Sequence, residues 1–167
     1  MAWSRFFIRP DGPSGDTGKE GAALSDDEHY RKLERMYASA PINDYFRPVM
    51  QVSEGRAVIS MKVRRDFFHA ANSVHGAIYF KALDDAAFFA VNSLVPDRFV
   101  LTVSLNAYLT RPISEGEVRA VGQVVHRSRR LFVAESQLFD SAGNEIARGS
   151  GMFVPSSIPL SPQVGYM

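Results

Sequence analysis

The 167-residue sequence predicts one α+β domain, in which a long helix is wrapped by an antiparallel sheet. Three observations support this prediction. A long apolar segment of helical character occupies about residues 76–94, a hairpin pattern precedes it, and four segments with alternating polarity follow it. Strands that succeed one another through short turns pair antiparallel, so the order argues against a doubly wound parallel sheet.

Composition narrows the function before any motif is considered. The chain has no cysteine, which excludes disulfides, thiolate metal ligands and a cysteine nucleophile. Its formal net charge of +1 predicts no nucleic-acid or membrane partner. The N-terminal apolar run is too short for a signal peptide and no segment has transmembrane length, so we expect a cytoplasmic protein.

Both ends of the chain differ in composition from the middle. Residues 1–24 combine a few aromatic side chains with a Gly/Pro/Asp-rich segment and are predicted to be an arm or linker. Residues 25–155 are predicted to be the folded domain. Residues 156–167 are rich in proline and serine and are predicted to be a flexible tail.

The first predicted helix starts at a capping box, in which Ser25 is followed three residues later by Glu28. Tyr30, Leu33 and Tyr37 then form one apolar stripe at helical spacing. Further along, residues 46–63 contain a strand pattern on both sides of a turn at residues 53–55, which predicts a β-hairpin.

The segments after the long helix alternate with the period of strands. Residues 99–110 give the clearest signal: one predicted face carries Phe99, Leu101, Val103, Leu105, Ala107 and Leu109, and the other carries the polar residues and Tyr108. Segments 117–128, 131–140 and 145–154 follow with the same period, which completes a four-strand meander.

The long helix carries two adjacent acids that differ in their surroundings. At about 100° per residue, Asp84 shares a face with apolar residues such as Phe80 and Phe88, whereas Asp85 follows Lys81 by four residues and is predicted to pair with it on the wet side of the helix. Burying an unpaired carboxylate costs free energy or raises its pKa, so Asp84 is a candidate general base or nucleophile. The alternative is that Asp84 faces solvent or pairs with a distant arginine.

His75 and Gly76 stand at the start of this helix. The Gly76 N–H is one of the unpaired N-terminal donors that can hold an oxyanion, whereas His75 has either a structural or a catalytic role. His75 and Asp84 are nine residues apart, which is about 13 Å of rise and half a turn of rotation. If both act on one carbonyl, the site must combine two subunits, and a homodimer follows.

The sequence "HGAIYFKALDDAAFFA" resembles the histidine-glycine motif and helix of the hotdog-fold acyl-CoA thioesterases, a superfamily that includes the phenylacetyl-CoA and 4-hydroxybenzoyl-CoA thioesterases. The resemblance covers about residues 44–155. In the phenylacetyl-CoA type the catalytic acid lies nine positions after the histidine, which is Asp84 here. The strand "LTVSLNAYLTRP" is similar to the family's next strand and has Thr102 where some members carry an assisting serine.

This resemblance implies a hotdog fold and hydrolysis of an acyl- or aryl-CoA thioester to free acid and CoA. The Gly76 N–H would polarise the carbonyl near His75, and Asp84 of the other subunit would activate water or attack directly. No metal or redox cofactor is implied, because CoA is part of the substrate. The assembly implied is a homodimer with shared sites, paired into a dimer of dimers.

The sequence departs from the family pattern in two places. The second motif glycine is Ala77, and His69 replaces the asparagine expected six positions before the histidine, while Asn72 is a nearby candidate to orient the thioester or water. For CoA we single out Arg127, Arg129 and Arg130, whose guanidinium groups suit phosphates, although a solvated hairpin tip explains them equally well.

Two other functions are compatible with the resemblance. One is a non-catalytic hotdog protein that binds acyl-CoA: the intact His75, Gly76 and Asp84 argue against it, and the His69 substitution keeps it as an alternative. The other is a hotdog hydratase or dehydratase, against which the spacing of histidine and acid argues.

Overall fold

The computed structural model describes residues 26–167. The predicted arm at residues 1–24 and the serine of the capping box lie outside the described residues. The first helix, α1, is Asp26–Ser39, and its first turn carries three acidic residues that suit the positive end of the helix dipole. The predicted apolar stripe is confirmed, since Tyr30, Leu33 and Tyr37 are all buried.

A short helix that the sequence did not suggest, α2, follows at Pro41–Phe46. The predicted hairpin is confirmed by β1 (Val49–Ser53) and β2 (Arg56–Lys62). The long helix, α3, spans Gly76–Asn92, two residues shorter than predicted. The four predicted strands after α3 are β3 (Arg98–Leu109), β4 (Glu117–Arg127), β5 (Phe132–Phe139) and β6 (Glu145–Pro159). The predicted four-strand meander is wrong in one respect, because β3 pairs with β6 and not with β4, so that only β4, β5 and β6 lie side by side in chain order.

All six strands form one antiparallel sheet in the order β1-β2-β4-β5-β6-β3. The α3 helix packs against every one of them. Six strands span about 24 Å, whereas a helix is only about 10–12 Å wide, so the sheet has to curve around α3. The predicted α+β architecture with a wrapped central helix is therefore confirmed.

The core lies between α3 and the concave face of the sheet. Leu83 and Ala86 of α3 are fully buried against strand residues such as Ile59 and Ala120. The closest approach is at Gly122 of β4, where an added Cβ would lie 2.0 Å from the carbonyl oxygen of Ala86. Only glycine allows the helix to sit this close to the sheet.

Strand β3 corrects the predicted alternation. Its register against β6 shifts between Arg98 and Val100 and again between Thr102 and Ser104. The second shift is a bulge that changes which side chains face inward, so Thr102 pairs across from the fully buried Phe153 while Val103 is 57% exposed. The face predicted to be uniformly apolar is thus split between the core and solvent.

The predicted flexible tail is a second correction. Strand β6 continues to Pro159, and residues 162–164 form a 3-10 turn. Tyr166 then returns to the domain and is buried against α1. The proline- and serine-rich composition does not predict this structure, because the contacts that hold the segment in place are made with α1, far away in the chain.

No helix among residues 26–167 is both long and apolar enough to cross a membrane.

Candidate functional site

A cleft with a volume of about 780 Å³ lies beside α3. Four parts of the chain contribute to it: the α1–α2 junction, one face of α3, the first half of β3, and residues 163–165. Its wall is mainly apolar and aromatic, and its apolar lining includes Met36, Phe88, Phe89, Phe99 and Leu101. Both acids of α3 also line it.

Asp84 and Thr102 meet in this cleft. The Thr102 hydroxyl donates a hydrogen bond of 3.0 Å to Oδ1 of Asp84. Thr102 pairs with the fully buried Phe153 of β6, and paired residues share a face of the sheet, so the Thr102 side chain is on the helix side. The alternative of a distant arginine partner for Asp84 is not what the structure shows, since no arginine among residues 26–167 pairs with it.

The half-buried position of Asp84 changes its acidity. Burial raises the pKa of the Asp84 carboxyl above its ordinary value, since the charged form loses hydration. The Thr102 hydrogen bond acts in the opposite direction and lowers this pKa, while the neighbouring Asp85 charge raises it. A carboxylate with raised basicity at the edge of an apolar cleft can accept a proton from water.

Asp85 behaves differently from the prediction in one respect. Its ion pair with Lys81 is confirmed, but the pair does not lie on the wet side of the helix. The side chains of Lys81 and Asp85 are only 13% and 19% exposed, and the Tyr37 hydroxyl donates a 2.7 Å hydrogen bond to Asp85. Because α1 covers this side of α3, the pair belongs to the wall of the cleft.

His75 and Gly76 lie at the other end of α3. Nδ1 of His75 accepts the Ala77 N–H at 3.0 Å, so the histidine caps the helix and its Nε2 carries the proton. The Gly76 N–H is one of the N-terminal donors that have no carbonyl partner within the helix. The exposed imidazole of His75 thus has a structural role, and its Nε2–H stays available to a ligand.

The loop before α3 brings two further candidates to this end. Asn72 is exposed and adopts a left-handed backbone conformation with φ of 61°. His69 is hydrogen-bonded to the Ser73 hydroxyl at 3.1 Å, and its ring centre lies 6.4 Å from that of His75. His69, Asn72, His75 and Gly76 therefore form one polar group, which we call the helix-start group.

The helix-start group and Asp84 do not meet within one chain. The α3 helix is continuous from Gly76 to Asn92, so Asp84 lies about 13 Å along the axis from His75. None of the helix-start group lines the cleft that contains Asp84.

The three candidate arginines lie at the far end of β4. Arg127 is the last residue of the strand, and Arg129 and Arg130 are in the exposed turn to β5. Arg127 and Thr102 lie in one row across the sheet, joined through paired residues of β5 and β6. Three strand spacings place their Cα atoms about 14 Å apart. Among residues 26–167 none of the three arginines has an acidic partner.

Sequence reasoning missed several residues of the cleft. Tyr37 was assigned to a core stripe, yet its hydroxyl reaches Asp85. Residues 163–165 were assigned to a flexible tail, yet they line the cleft. The spacing of Tyr37 within α1 gave a signal for burial but none for its partner, which lies 48 positions away.

Comparison with known proteins finds a family match for part of this chain. The model of the thioesterase superfamily matches residues 71–147, from the loop before α3 to the first part of β6. The E. coli PaaI protein, from the phenylacetic acid degradation operon, superposes with a TM-score of 0.74 at 19% identity, over 81% of this chain and 99% of that chain. A thioesterase of Pseudomonas aeruginosa, solved as a mutant, has a TM-score of 0.67 at 20% identity, over 77% and 94% of the two chains.

A curated protein of Saccharolobus solfataricus named "Putative esterase" is 28% identical over 81 residues. The match spans 48% of this chain and 54% of that protein, so the chain covers only about half the length of this relative. The fold is the hotdog fold, and residues 71–147 of the chain match the thioesterase superfamily.

Proposed function

We propose that the protein is an acyl-CoA thioesterase, which hydrolyses an acyl- or aryl-CoA thioester to the free acid and CoA. The observation that carries the proposal is the Asp84–Thr102 hydrogen bond of 3.0 Å at an apolar cleft, within the segment that matches the thioesterase superfamily. A base with raised pKa next to a wall that suits an acyl group is what thioester hydrolysis requires.

In this reaction the Asp84 carboxylate takes a proton from water, and the resulting hydroxide attacks the thioester carbonyl carbon. The tetrahedral intermediate then collapses, the carbon–sulfur bond breaks, and the CoA thiolate leaves and takes up the proton. Direct attack by the carboxylate would give a mixed anhydride, which water then cleaves. Thr102 orients the carboxylate in both routes. No metal or redox cofactor takes part.

The oxyanion would be held by the Gly76 N–H, with the Nε2–H of His75 and the Asn72 side chain nearby. Within one chain the helix-start group lies about 13 Å from Asp84 along the helix axis. We therefore propose a homodimer in which each site combines Asp84 and Thr102 of one copy with the helix-start group of the other. Such dimers would pair into a dimer of dimers.

Exposed apolar side chains on β3 and on α3 support the pairing of two copies. The strand is an edge of the sheet, and its side chains Leu101, Val103 and Tyr108 are 46%, 57% and 68% exposed. An apolar edge strand is a template for pairing with a second chain. On α3, Phe80 is 44% exposed on the same helix face as Asp84, which gives the two helices of a dimer an apolar surface to share.

For the CoA end of the substrate we propose Arg127, Arg129 and Arg130. Their guanidinium groups carry no competing ion pair among the described residues and can bind phosphate through two hydrogen bonds each. The separation of about 14 Å between Arg127 and Thr102 leaves room for the extended arm between the CoA phosphates and the thioester.

The test is release of free thiol from a panel of acyl- and aryl-CoA substrates. Asp84→Asn is expected to lower kcat by about 10²–10⁴-fold, the usual contribution of a general base. The matched control, Asp66→Asn, alters an acid that is half exposed and paired only with Arg64, so its turnover should stay at the wild-type rate.

A stability measurement separates loss of chemistry from loss of fold. The raised pKa of Asp84 means that the folded state is destabilised at pH values above it, where the buried carboxyl is charged. Asp84→Asn should therefore keep or raise the melting temperature at pH 7. No thiol release by the wild type across the panel would contradict the proposal: CoA binding alone would favour a binding protein, and water addition to an enoyl-CoA a hydratase.

A further inference from the structure

We propose that residues 161–167, here called the latch, close the acyl cleft and that Val164 limits the length of the acyl group. This inference rests on the proposed thioesterase function and specifies its substrate range. The latch lies beyond residue 147, where the match to the family model ends, so it is a feature of this chain and not of the matched segment.

The latch forms part of the cleft wall. Gln163, Val164 and Gly165 line the same cleft as Asp84 and Thr102, and the half-buried Val164 packs against the core. Of these three, Val164 has the apolar side chain that can contact an apolar ligand. A bulkier or smaller side chain at this position should change the depth of the cleft directly.

A tight turn holds the latch against the α1–α2 junction. Gly165 has a φ of 83°, and its N–H donates to the Pro162 carbonyl at 3.0 Å. A Cβ at this position would lie 2.5 Å from the Ser39 hydroxyl, so the chain can approach α1 this closely only with glycine.

A buried hydrogen-bond chain anchors the latch from the other side. Nε2 of His29 lies 3.1 Å from the Asn92 carbonyl, which can only accept, so Nε2 carries the proton. Nδ1 of His29 is then the acceptor, and the Tyr166 hydroxyl donates to it at 2.8 Å. His29 and Tyr166 are both buried, and burial lowers the pKa of His29, which keeps the ring neutral.

The cleft lining on α3 ends at Phe89, about one helical turn before the anchor. Asn92 is the last residue of α3, about 12 Å along the helix axis from Asp84. An acyl group whose carbonyl lies near Asp84 can extend along the wall formed by Phe88 and Phe99, whose rings contact each other with their centres 5.0 Å apart, toward the latch. The ligand expected is therefore an apolar aliphatic or aryl acyl group of limited length.

The experiment measures kcat/KM for straight-chain acyl-CoAs of increasing length with wild type, Val164→Phe and Val164→Ala. We expect Val164→Phe to lower kcat/KM at least tenfold for the longest acyl groups that the wild type accepts, and less than twofold for acetyl-CoA, because pocket contacts discriminate by about 10–200-fold. Val164→Ala should shift the optimum to longer chains. Tyr166→Phe, which loosens the anchor, should shift it in the same direction.

The matched controls are Val49→Phe and Val49→Ala, which make the same changes at an exposed valine of β1 outside the cleft, and they should leave the length profile unchanged. The role of the latch would be overturned if no Val164 variant changed the dependence of kcat/KM on acyl length, or if kcat/KM fell equally at all lengths. Turnover by the wild type would still support the proposed function in either case.

Binding of S-alkyl-CoA thioethers, which cannot be hydrolysed, gives a readout that does not depend on turnover. If the wild type hydrolyses nothing but Val164→Phe weakens binding of long thioethers at least tenfold and of short ones less than twofold, the proposed function fails and the latch stands. If thioether affinity is independent of both alkyl length and Val164, the latch proposal fails as well.

Discussion

The two edge strands of the sheet differ in whether another part of the chain covers their outer side. At the β1 edge, the Val52 N–H donates to the Glu34 carboxylate of α1 at 2.8 Å, and the Arg31 guanidinium donates to the Val52 carbonyl. At the opposite edge, no strand among residues 26–167 pairs with the outer side of β3, and Val103 and Tyr108 are exposed there.

This difference separates an edge that the chain closes by itself from an edge that it leaves open. Side chains of α1 occupy backbone groups of β1 and protect that strand from pairing. The open edge, β3, is the one that carries Thr102 and borders the cleft with Asp84. The proposed site therefore lies where a second copy of the chain can reach it.

The largest expected effect comes from a charge on the open edge. Val103→Glu should prevent pairing of β3 and lower kcat/KM at least 100-fold, because each shared site would lose the helix-start group of its partner. Light scattering should show monomers. Val49→Glu is the matched control, since Val49 is a 66% exposed valine on the closed edge strand, and it should change neither mass nor activity. A monomer of Val103→Glu with full activity would disprove the shared site.

The next effect concerns the wall of the cleft that α1 covers. Asp85→Asn removes the negative charge that pairs with Lys81 and weakens the acceptor of the Tyr37 hydrogen bond. Because the Lys81 charge is then left unpaired in a mostly buried position, we expect the free energy of unfolding to fall by about 2–4 kcal/mol. Denaturant titration measures this loss. Replacing both partners, as Lys81→Met with Asp85→Leu, should recover part of it, and an equally unstable double variant would contradict the ion-pair explanation.

Thr102 should affect both rate and pH dependence. Thr102→Val removes the hydroxyl and should lower kcat/KM about tenfold, since a hydrogen bond to a charged group is lost. That hydrogen bond lowers the pKa of Asp84, so its removal raises this pKa. In the proposed mechanism Asp84 acts as a carboxylate, so on acidification the variant should lose activity at a higher pH than the wild type.

The matched substitution is Thr102→Ser, which keeps the hydroxyl and should keep the wild-type pH profile of kcat/KM. A profile of Thr102→Val that coincides with wild type would show that the hydroxyl does not act on Asp84.

The smallest effect is expected at the closed edge. Glu34→Ala removes the side-chain cap of β1 and should cost about 1 kcal/mol of stability, the typical value of one hydrogen bond, with turnover unchanged. Thermal unfolding and thiol release measure the two quantities. If turnover fell by more than the fraction of unfolded protein accounts for, the two edges would not act independently.

The sequence predicted most of the elements because their patterns are local. The period of two in the strands and the long apolar run of α3 report burial within a few neighbouring residues. The placement of Asp84 among apolar side chains follows from helix geometry alone, and so does its separation from His75. Those features needed no knowledge of what packs against the helix.

Other features depend on contacts between distant parts of the chain. The hydrogen bond between Thr102 and Asp84 and the register shift next to Thr102 depend on how β3 pairs with β6, which no period in β3 reveals. Asp85 became part of a buried pair because α1 covers it, and the latch became ordered because Tyr166 reaches His29, which is 137 positions away.

The sequence by itself thus determined the α+β class, the long helix and the candidate acid. Only the tertiary structure decided which side chains meet that acid and where the cleft ends, because hydrogen bonds and packing between segments are set by their arrangement in space and leave no trace in local periodicity.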